Sequence, residues 1–346
     1  MDKKCSGERL RVKRETDGKT PSQCFVMWGR DSFRQLVYRT SCTSVHYKSG
    51  PPHRFYSLRR LSRMTVEIVT DSGSDITQEE AKKFGITVVP VYLCFGDEMY
   101  RDGVDIDSDE FYRKLTTSPV HPSTAAPSPG DFAKAYEVVA RETRDIVSIH
   151  ITRRHSGVYD AALLGKEIAE KKGCHVEVID SKGVTMWQGL VAIAAAKAAE
   201  AGYSLHQVVE KVHETISQLR VLALLDTVMY AVKGGRLEKT ASAISIIESL
   251  LPVKILLTLG NGEIRPAGLV RSRKKGIERL REFIRSVLQI EDLAIVHSTT
   301  PDDAQTLADY ASSLFPHIVP RIVRLGAALG VHGGPGTLIT VLREAR

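Results

Sequence analysis

From Met64 onward, hydrophobic and polar positions along the chain switch between two periods in a repeating order. Val66, Ile68 and Val69 form a short apolar run, Asp71-Ser-Gly-Ser-Asp75 a polar turn, and Thr77-Gln-Glu-Glu80 a capping box opening a helix that ends at Phe84. Ile86–Phe95 reads as the next strand. Helical spacing returns in Asp107–Leu115 and in Asp131–Glu142, on either side of residues 118–130, where hydroxyls crowd among four prolines. Ile146, Val147, Ile149 and Ile151 then make a β-branched run, a charged turn follows, and Val158, Ala161, Ala162 and Leu164 resume the helical period. Val176–Ile179 is a strand ending in Asp180-Ser-Lys182, Met186–Ala201 an alanine-rich helix apolar enough to be buried, Leu205–Arg220 an amphipathic helix, and Val221–Leu225 a strand. This order of strand, turn, helix and strand predicts βαβ units and a mostly parallel sheet. In such sheets ligands gather at the carboxyl ends of the strands, where Asp71-Ser72 lies.

The second half follows a different grammar. Lys233-Gly-Gly-Arg236 is a tight basic turn before an apolar helix from Thr240 to Leu251, and Asn261-Gly262 between Ile255–Leu259 and Ile264–Val270 signals a hairpin. Arg271-Ser-Arg-Lys-Lys275 begins a helix to Leu288. Leu293–His297 is a strand, Pro301–Leu314 a helix and Val319–Leu325 a strand; Gly330-Val-His-Gly-Gly-Pro-Gly336 and a short apolar segment close the chain. The expected fold class is α/β with two domains. An N-terminal, mostly parallel α/β domain spans 64–222, and a C-terminal α/β domain with an antiparallel or mixed sheet spans 223–346.

Composition adds a boundary. The 346 residues carry a net charge of +7, but residues 1–63 hold 15 Lys+Arg against 5 Asp+Glu, while the remaining 283 hold 33 against 36. The basicity thus belongs to an N-terminal extension without sustained periodicity, read either as a disordered tail or as an upstream start with translation beginning at Met64. A body with a net charge of −3 offers no electrostatic footprint for nucleic acid. Three of the five cysteines (Cys5, Cys24, Cys42) lie in the extension; Cys94 and Cys174 have no metal spacing, and a reducing, cytoplasmic compartment is expected. No apolar run reaches the roughly 18 residues of a membrane span, and the short apolar core of a secretory signal is missing.

The candidate chemistry has modest beginnings. Ser156 sits at a strand-to-helix entrance, where unpaired N–H groups suit an anion, or it merely caps the helix. Asp71 and Asp75 are read either as turn and cap chemistry or as part of a ligand site at the carboxyl ends of the strands. There is no GxxxxGK[ST] loop, no GxGxxG after the first strand, no GxSxG elbow and no HExxH, which argues against a self-sufficient nucleotide-using kinase.

Together, however, Thr70-Asp-Ser-Gly-Ser-Asp75, Ser123-Thr-Ala-Ala-Pro-Ser-Pro-Gly130, Ser156-Gly-Val-Tyr159, Val178-Ile-Asp-Ser-Lys182, Lys233-Gly-Gly-Arg-Leu237, Arg271-Ser-Arg-Lys-Lys275 and His332-Gly-Gly-Pro-Gly336 resemble, in order, the DegV family of bacterial fatty-acid-binding proteins. The resemblance covers residues 64–346. It implies a protein that holds a long-chain fatty acid in a tunnel with the carboxylate at the domain cleft, without cofactor or metal. It also implies a lipid-binding or non-catalytic role, as the subunit that presents the carboxylate to a separate ATP-dependent fatty-acid kinase for acyl-phosphate formation. The family's head-group positions fall on Thr124, Ser156, Arg236 and His332, with Asp71, Ser72, Gly157 and Gly333 as supporting positions. Two motifs depart from the family pattern: its TSQPS reads Thr124-Ala-Ala-Pro-Ser128 here, and its GLSGTY reads Arg154-His-Ser-Gly-Val-Tyr159. The Arg271–Lys275 cluster is read as a solvated helix start or as a docking point for an acidic partner or, transiently, an anionic membrane surface. The competing reading is an autonomous phosphotransferase or hydrolase acting on an anionic substrate through Asp71 and Asp75.

Overall fold

The first apolar run forms β1 (Glu67–Asp71), whose last four residues are buried, and the turn after it is a single 3-10 turn, Ser72–Ser74. In the computed structural model the described residues are 65–235 and 253–345. Before residue 65 only four two-residue strands are described, Lys4–Cys5 paired with Glu8–Arg9 and Val12–Lys13 with Phe25–Val26. These fall in the unit Met1–Arg59; everything below concerns the unit Arg60–Arg346. The expected helix Thr240–Leu251 and the side chain of Arg236 lie outside the described residues, as does most of the 1–63 extension.

Thr77 caps α1 (Gln78–Phe84) by accepting the N–H of Glu80 at 3.1 Å, and Gly85 ends it at a φ of 65°. The stretch Ile86–Phe95 is not one strand. It divides at Pro90 into β2 (Ile86–Val89) and β3 (Tyr92–Phe95), which belong to different sheets. Pro90 has no N–H to give a ladder, and the N–H of Val91 is donated to Ser72 Oγ at 3.0 Å, so the pairing cannot run through. β3 pairs antiparallel with β4 (Glu98–Arg101) and with β5 (Ser123–Ala125), setting Leu93 opposite Thr124. The proline-rich connector is therefore partly strand. α2 (Ser108–Thr117) and α3 (Pro129–Val139) flank it, each capped by the preceding residue.

β6 (Asp145–His150), α4 (Val158–Glu170) and β7 (His175–Asp180) complete a four-stranded parallel sheet of order β7-β6-β1-β2. α5 (Met186–Glu200) follows, with 13 of its 15 residues buried. Such a helix needs cover on all sides, and it packs against β1 and β6 on one side and β8, β11 and β13 on the other. One apolar cluster consequently includes Ile68 and Val147 of the parallel sheet, Leu190 and Ile193 of α5, and Val296 and Val341 of the second sheet.

The second sheet has six strands in the order β10-β9-β8-β13-β11-β12. They are β8 (Leu219–Leu225), β9 (Lys254–Gly260), β10 (Glu263–Val270), β11 (Ile290–His297), β12 (Arg321–Arg324) and β13 (Leu338–Glu344). All neighbours are antiparallel except β11 and β12, so the sheet is mixed. Asn261 and Gly262 take φ values of 51° and 81°, the turn geometry expected of Asn-Gly between paired strands. α6 (Leu205–Gln218) leads into β8, α7 (Met229–Lys233) follows it, and α8 (Arg273–Arg285) and α9 (Pro301–Leu314) cover a second cluster built on Leu224, Leu256 and Leu293. The glycine-rich end of the chain contains α10 (Ala327–Gly333), and the short apolar segment after it is β13, in the interior of the sheet. Among the described residues no helix is long and apolar enough to cross a membrane.

Candidate functional site

A cavity opens where the carboxyl ends of β1, β6 and β7 face the six-stranded sheet. Strand alternation builds one side of it: Val221, Ala223 and Leu225 on β8, Leu257 and Leu259 on β9, and Ile339 on β13. Gly73, Ile151 and Val184, from the loops after β1, β6 and β7, line the other side, and Ala328 and Leu329 of α10 contribute a wall. It encloses about 1080 Å³ free of protein atoms, part of it open to solvent. Fifteen of the 24 described residues that line it have apolar side chains, and among these described residues none is Asp, Glu, Lys or Arg, so this part of the interior suits a hydrocarbon.

Thr124, Ser156, His332 and Gly333 all line this one cavity, brought from β5, the loop before α4, and α10. Sequence reasoning did not single out four further polar residues in the lining, Thr185, Thr258, Thr337 and His155, as ligand positions. Three of their hydroxyl protons are directed elsewhere: Thr258 donates to the Val221 carbonyl at 2.8 Å, Thr337 to the Gly333 carbonyl at 2.7 Å, and Thr185 to Asp75 Oδ2 at 2.5 Å. Ser156 differs. Its Oγ accepts the N–H of Val158 at 3.3 Å, which leaves its own proton to donate into the cavity. Gly157, not Ser156, is the N-cap of α4, so the serine stands one residue outside the helix. His155 Nε2 accepts the N–H of Ile264 at 3.2 Å, which puts the proton of the neutral ring on Nδ1.

Two glycine motifs fit against each other beside His332. A Cβ on Gly234 would lie 2.2 Å from His332 Nδ1, and one on Gly334, whose φ is 72°, would lie 2.1 Å from the Tyr230 ring. Lys233-Gly-Gly and His332-Gly-Gly are thus spaced for close approach of α7 to α10. Arg236 continues the first motif outside the described residues.

The acidic candidates occupy a different environment. Asp71 is fully buried; Oδ1 accepts from Gly73 N–H at 2.9 Å, while Oδ2 meets Ile151 N–H at 3.1 Å, Gln188 Nε2 at 2.9 Å and His150 Nδ1 at 2.9 Å. Asp75 accepts from Gly326 N–H at 2.9 Å besides Thr185. Burial, with the charges of Asp102 and Asp71 nearby, pushes the Asp75 carboxyl up to about 8 against the pull of those two hydrogen bonds. Burial likewise raises Asp102 to about 6, although Ser72 and the N–H groups of Ala327 and Ala328 favour its charged form. None of these carboxylates lines the cavity. Their partners are the turn after β1, α5 and the start of α10, so they hold its surroundings in place. Arg273 is similarly absorbed: it bridges Asp303, Asp226, Thr300 and the Gly336 carbonyl, which leaves Arg271, Lys274 and Lys275 as the exposed part of the basic cluster.

Residues 65–343 match the family model described as an uncharacterised protein of the DegV family. The chain belongs to the DegV family. A DegV domain-containing protein of Caldanaerobacter subterraneus subsp. tengcongensis is 32% identical over 276 residues, covering 78% of this chain and 95% of the relative. Two solved DegV structures share the fold. A DegV-family protein from Thermus thermophilus studied for fatty acid binding is 28% identical with a TM-score of 0.72, covering 82% of this chain and all of that one. DegV from Bacillus subtilis, a fatty acid binding protein, is 27% identical with a TM-score of 0.73, covering 81% and 100%. The two-domain DegV architecture, with a parallel and a mixed sheet, is therefore the fold of this chain.

Proposed function

We propose that this protein binds one long-chain fatty acid, with the hydrocarbon in the cavity and the carboxylate at Thr124, Ser156 and His332. The observation that carries the reading is the composition of the cavity: an apolar lining without a charged side chain among the described residues, interrupted by hydroxyls and two imidazoles. Burying about fifteen methylenes at roughly 0.8 kcal/mol each sets a ceiling near ~12 kcal/mol before ordering costs. Desolvating the carboxylate opposes this, and donors at the cavity wall offset that cost. The fatty-acid-binding relatives from Thermus thermophilus and Bacillus subtilis support the same reading. The finer steps rest on family resemblance: the protein acts in the cytoplasm as a non-catalytic subunit, offering the carboxylate to a separate ATP-dependent kinase that forms acyl-phosphate. Arg236 joins the head-group site in this reading, and Arg271, Lys274 and Lys275 meet an anionic membrane surface transiently. The rival reading of Asp71 and Asp75 as phosphotransfer residues gains nothing from the geometry, because both carboxyl groups are buried, neither lines the cavity, and their hydrogen bonds tie together the loops and helix around it.

Native mass spectrometry of the purified chain, with palmitate or oleate added, is the test. One fatty acid bound per chain is expected. In Thr124→Ala/Ser156→Ala the affinity falls at least tenfold, about 1.4 kcal/mol, and acyl-phosphate yield with a partner kinase and ATP falls with it. A wild-type protein that takes up neither acid, or a double variant of undiminished affinity, would contradict the assignment.

A further inference from the structure

The floor of the cavity has a notch in it. On β8 the residues facing the cavity read Val221, Ala223 and Leu225, so the middle one carries a single methyl. The ladder fixes what lies on either side. Ala223 is opposite Leu257 on β9 and opposite Ile339 on β13, and both of those residues also line the cavity. The smallest side chain of the floor is thus enclosed on four sides by larger ones, two along its own strand and two across the sheet.

Packing places the same residue at a junction. Val221, Leu259 and Ile339 belong to the apolar cluster shared by the two sheets, whereas Leu225 and Leu257 belong to a smaller one with Val228, Ala231 and Ile255. Ala223 packs against both and is itself only partly buried. The cavity therefore crosses from one cluster to the other over Ala223, and a ligand lying along it passes the notch. A straight saturated chain touches the rim and leaves the notch empty, whereas a chain that bends or carries a side methyl fills it. Dispersion contact falls off within an ångström of the optimal separation, so the difference is felt by the ligand.

We propose that Ala223 is a specificity-determining residue that admits bent or methyl-branched acyl chains alongside straight ones; the proposal rests on the fatty-acid reading of the cavity. Ala223→Leu directs three more carbons into the notch, and Ala223→Val is the smaller step should the leucine variant fold poorly. The experiment is competition binding of oleate, a methyl-branched saturated acid and palmitate, followed by native mass spectrometry on wild type and both variants, with thermal melts to verify folding. The oleate-to-palmitate and branched-to-palmitate affinity ratios are expected to fall at least tenfold in Ala223→Leu and by a smaller factor in Ala223→Val. Unchanged ratios in a folded variant, or an equal loss for all three acids, would overturn the role of Ala223 while leaving fatty-acid binding intact. A wild-type protein that binds none of the three overturns both.

Discussion

Thr185 concentrates the residue-scale features of the site. It is β-branched yet holds a φ of 52°, a region such residues rarely enter, and it lines the cavity while donating to buried Asp75 at 2.5 Å. Its own N–H is donated to the Gly73 carbonyl at 2.8 Å, so the strained conformation is fixed from both ends. No sequence pattern announces such a residue. Thr124 and His332 entered the sequence reading through ordered motifs and Ser156 also through its place at a helix entrance, whereas Thr185, which lines the same cavity, lies in no motif. The same proximity gives a pH prediction. Asp75 stands at about 8 in the folded state, through burial first, and near 3.9 in an unfolded chain. Between those values the folded state keeps a proton that the unfolded state releases, so this contribution is fully present below about 4 and is lost as pH rises through about 8. Asp102, at about 6, acts in the same direction over a narrower window. Urea midpoints are expected to fall from pH 5 to pH 9 in wild type and to fall less in Asp75→Asn, whose amide reproduces the protonated acid. Parallel pH profiles would show that Asp75 is ionised throughout.

Among the elements, what was local was readable. Asn261-Gly262 specified its turn, Thr77 its helix, and the alanine-rich run of α5 its burial, because each depends on neighbours in sequence. The division of Ile86–Phe95 was not readable in the same way. Pro90 was visible, but the competing acceptor for Val91, Ser72 Oγ, comes from a turn 19 residues earlier. Ser123–Ala125 became a strand for a similar reason, since its partner Tyr92–Cys94 lies about thirty residues away in the chain. Gly189 in α5 shows how closely the elements are fitted: a Cβ there would lie 2.7 Å from the Ser74 carbonyl oxygen and 2.8 Å from Met186 Sδ. Two effects oppose each other in Gly189→Ala. Helix propensity favours alanine by up to about 1 kcal/mol, whereas overpacking against fixed backbone costs about 1–3 kcal/mol. The steric term wins because Ser74 belongs to the turn held by Asp71 and Asp75. A lower urea midpoint with an unchanged slope is the expected result, and a midpoint at or above wild type would show that α5 has room to shift.

At the scale of the whole molecule, the two sheets are coupled twice over. α5 and the apolar cluster around it join them, and the cavity takes its lining from both. The tip of the β9–β10 hairpin adds a polar tie, with Thr152 Oγ1 donating to the Gly262 carbonyl at 3.0 Å and Ile264 N–H donating to His155. Loss of either sheet would therefore dismantle the cavity, and under the proposed function a ligand bound there senses unfolding of the pair as one event. A ligand that binds only the folded state stabilises it by about 2.7 kcal/mol at a hundredfold excess over Kd. At about 2.1 cal/mol/K of unfolding entropy per residue, a folded body of about 280 residues converts this to roughly 4–5 °C in Tm. Scanning calorimetry with palmitate at that excess is expected to move a single transition upward by this amount. Two transitions, of which palmitate moves only one, would place the ligand in one sheet's territory alone and contradict a cavity built from both.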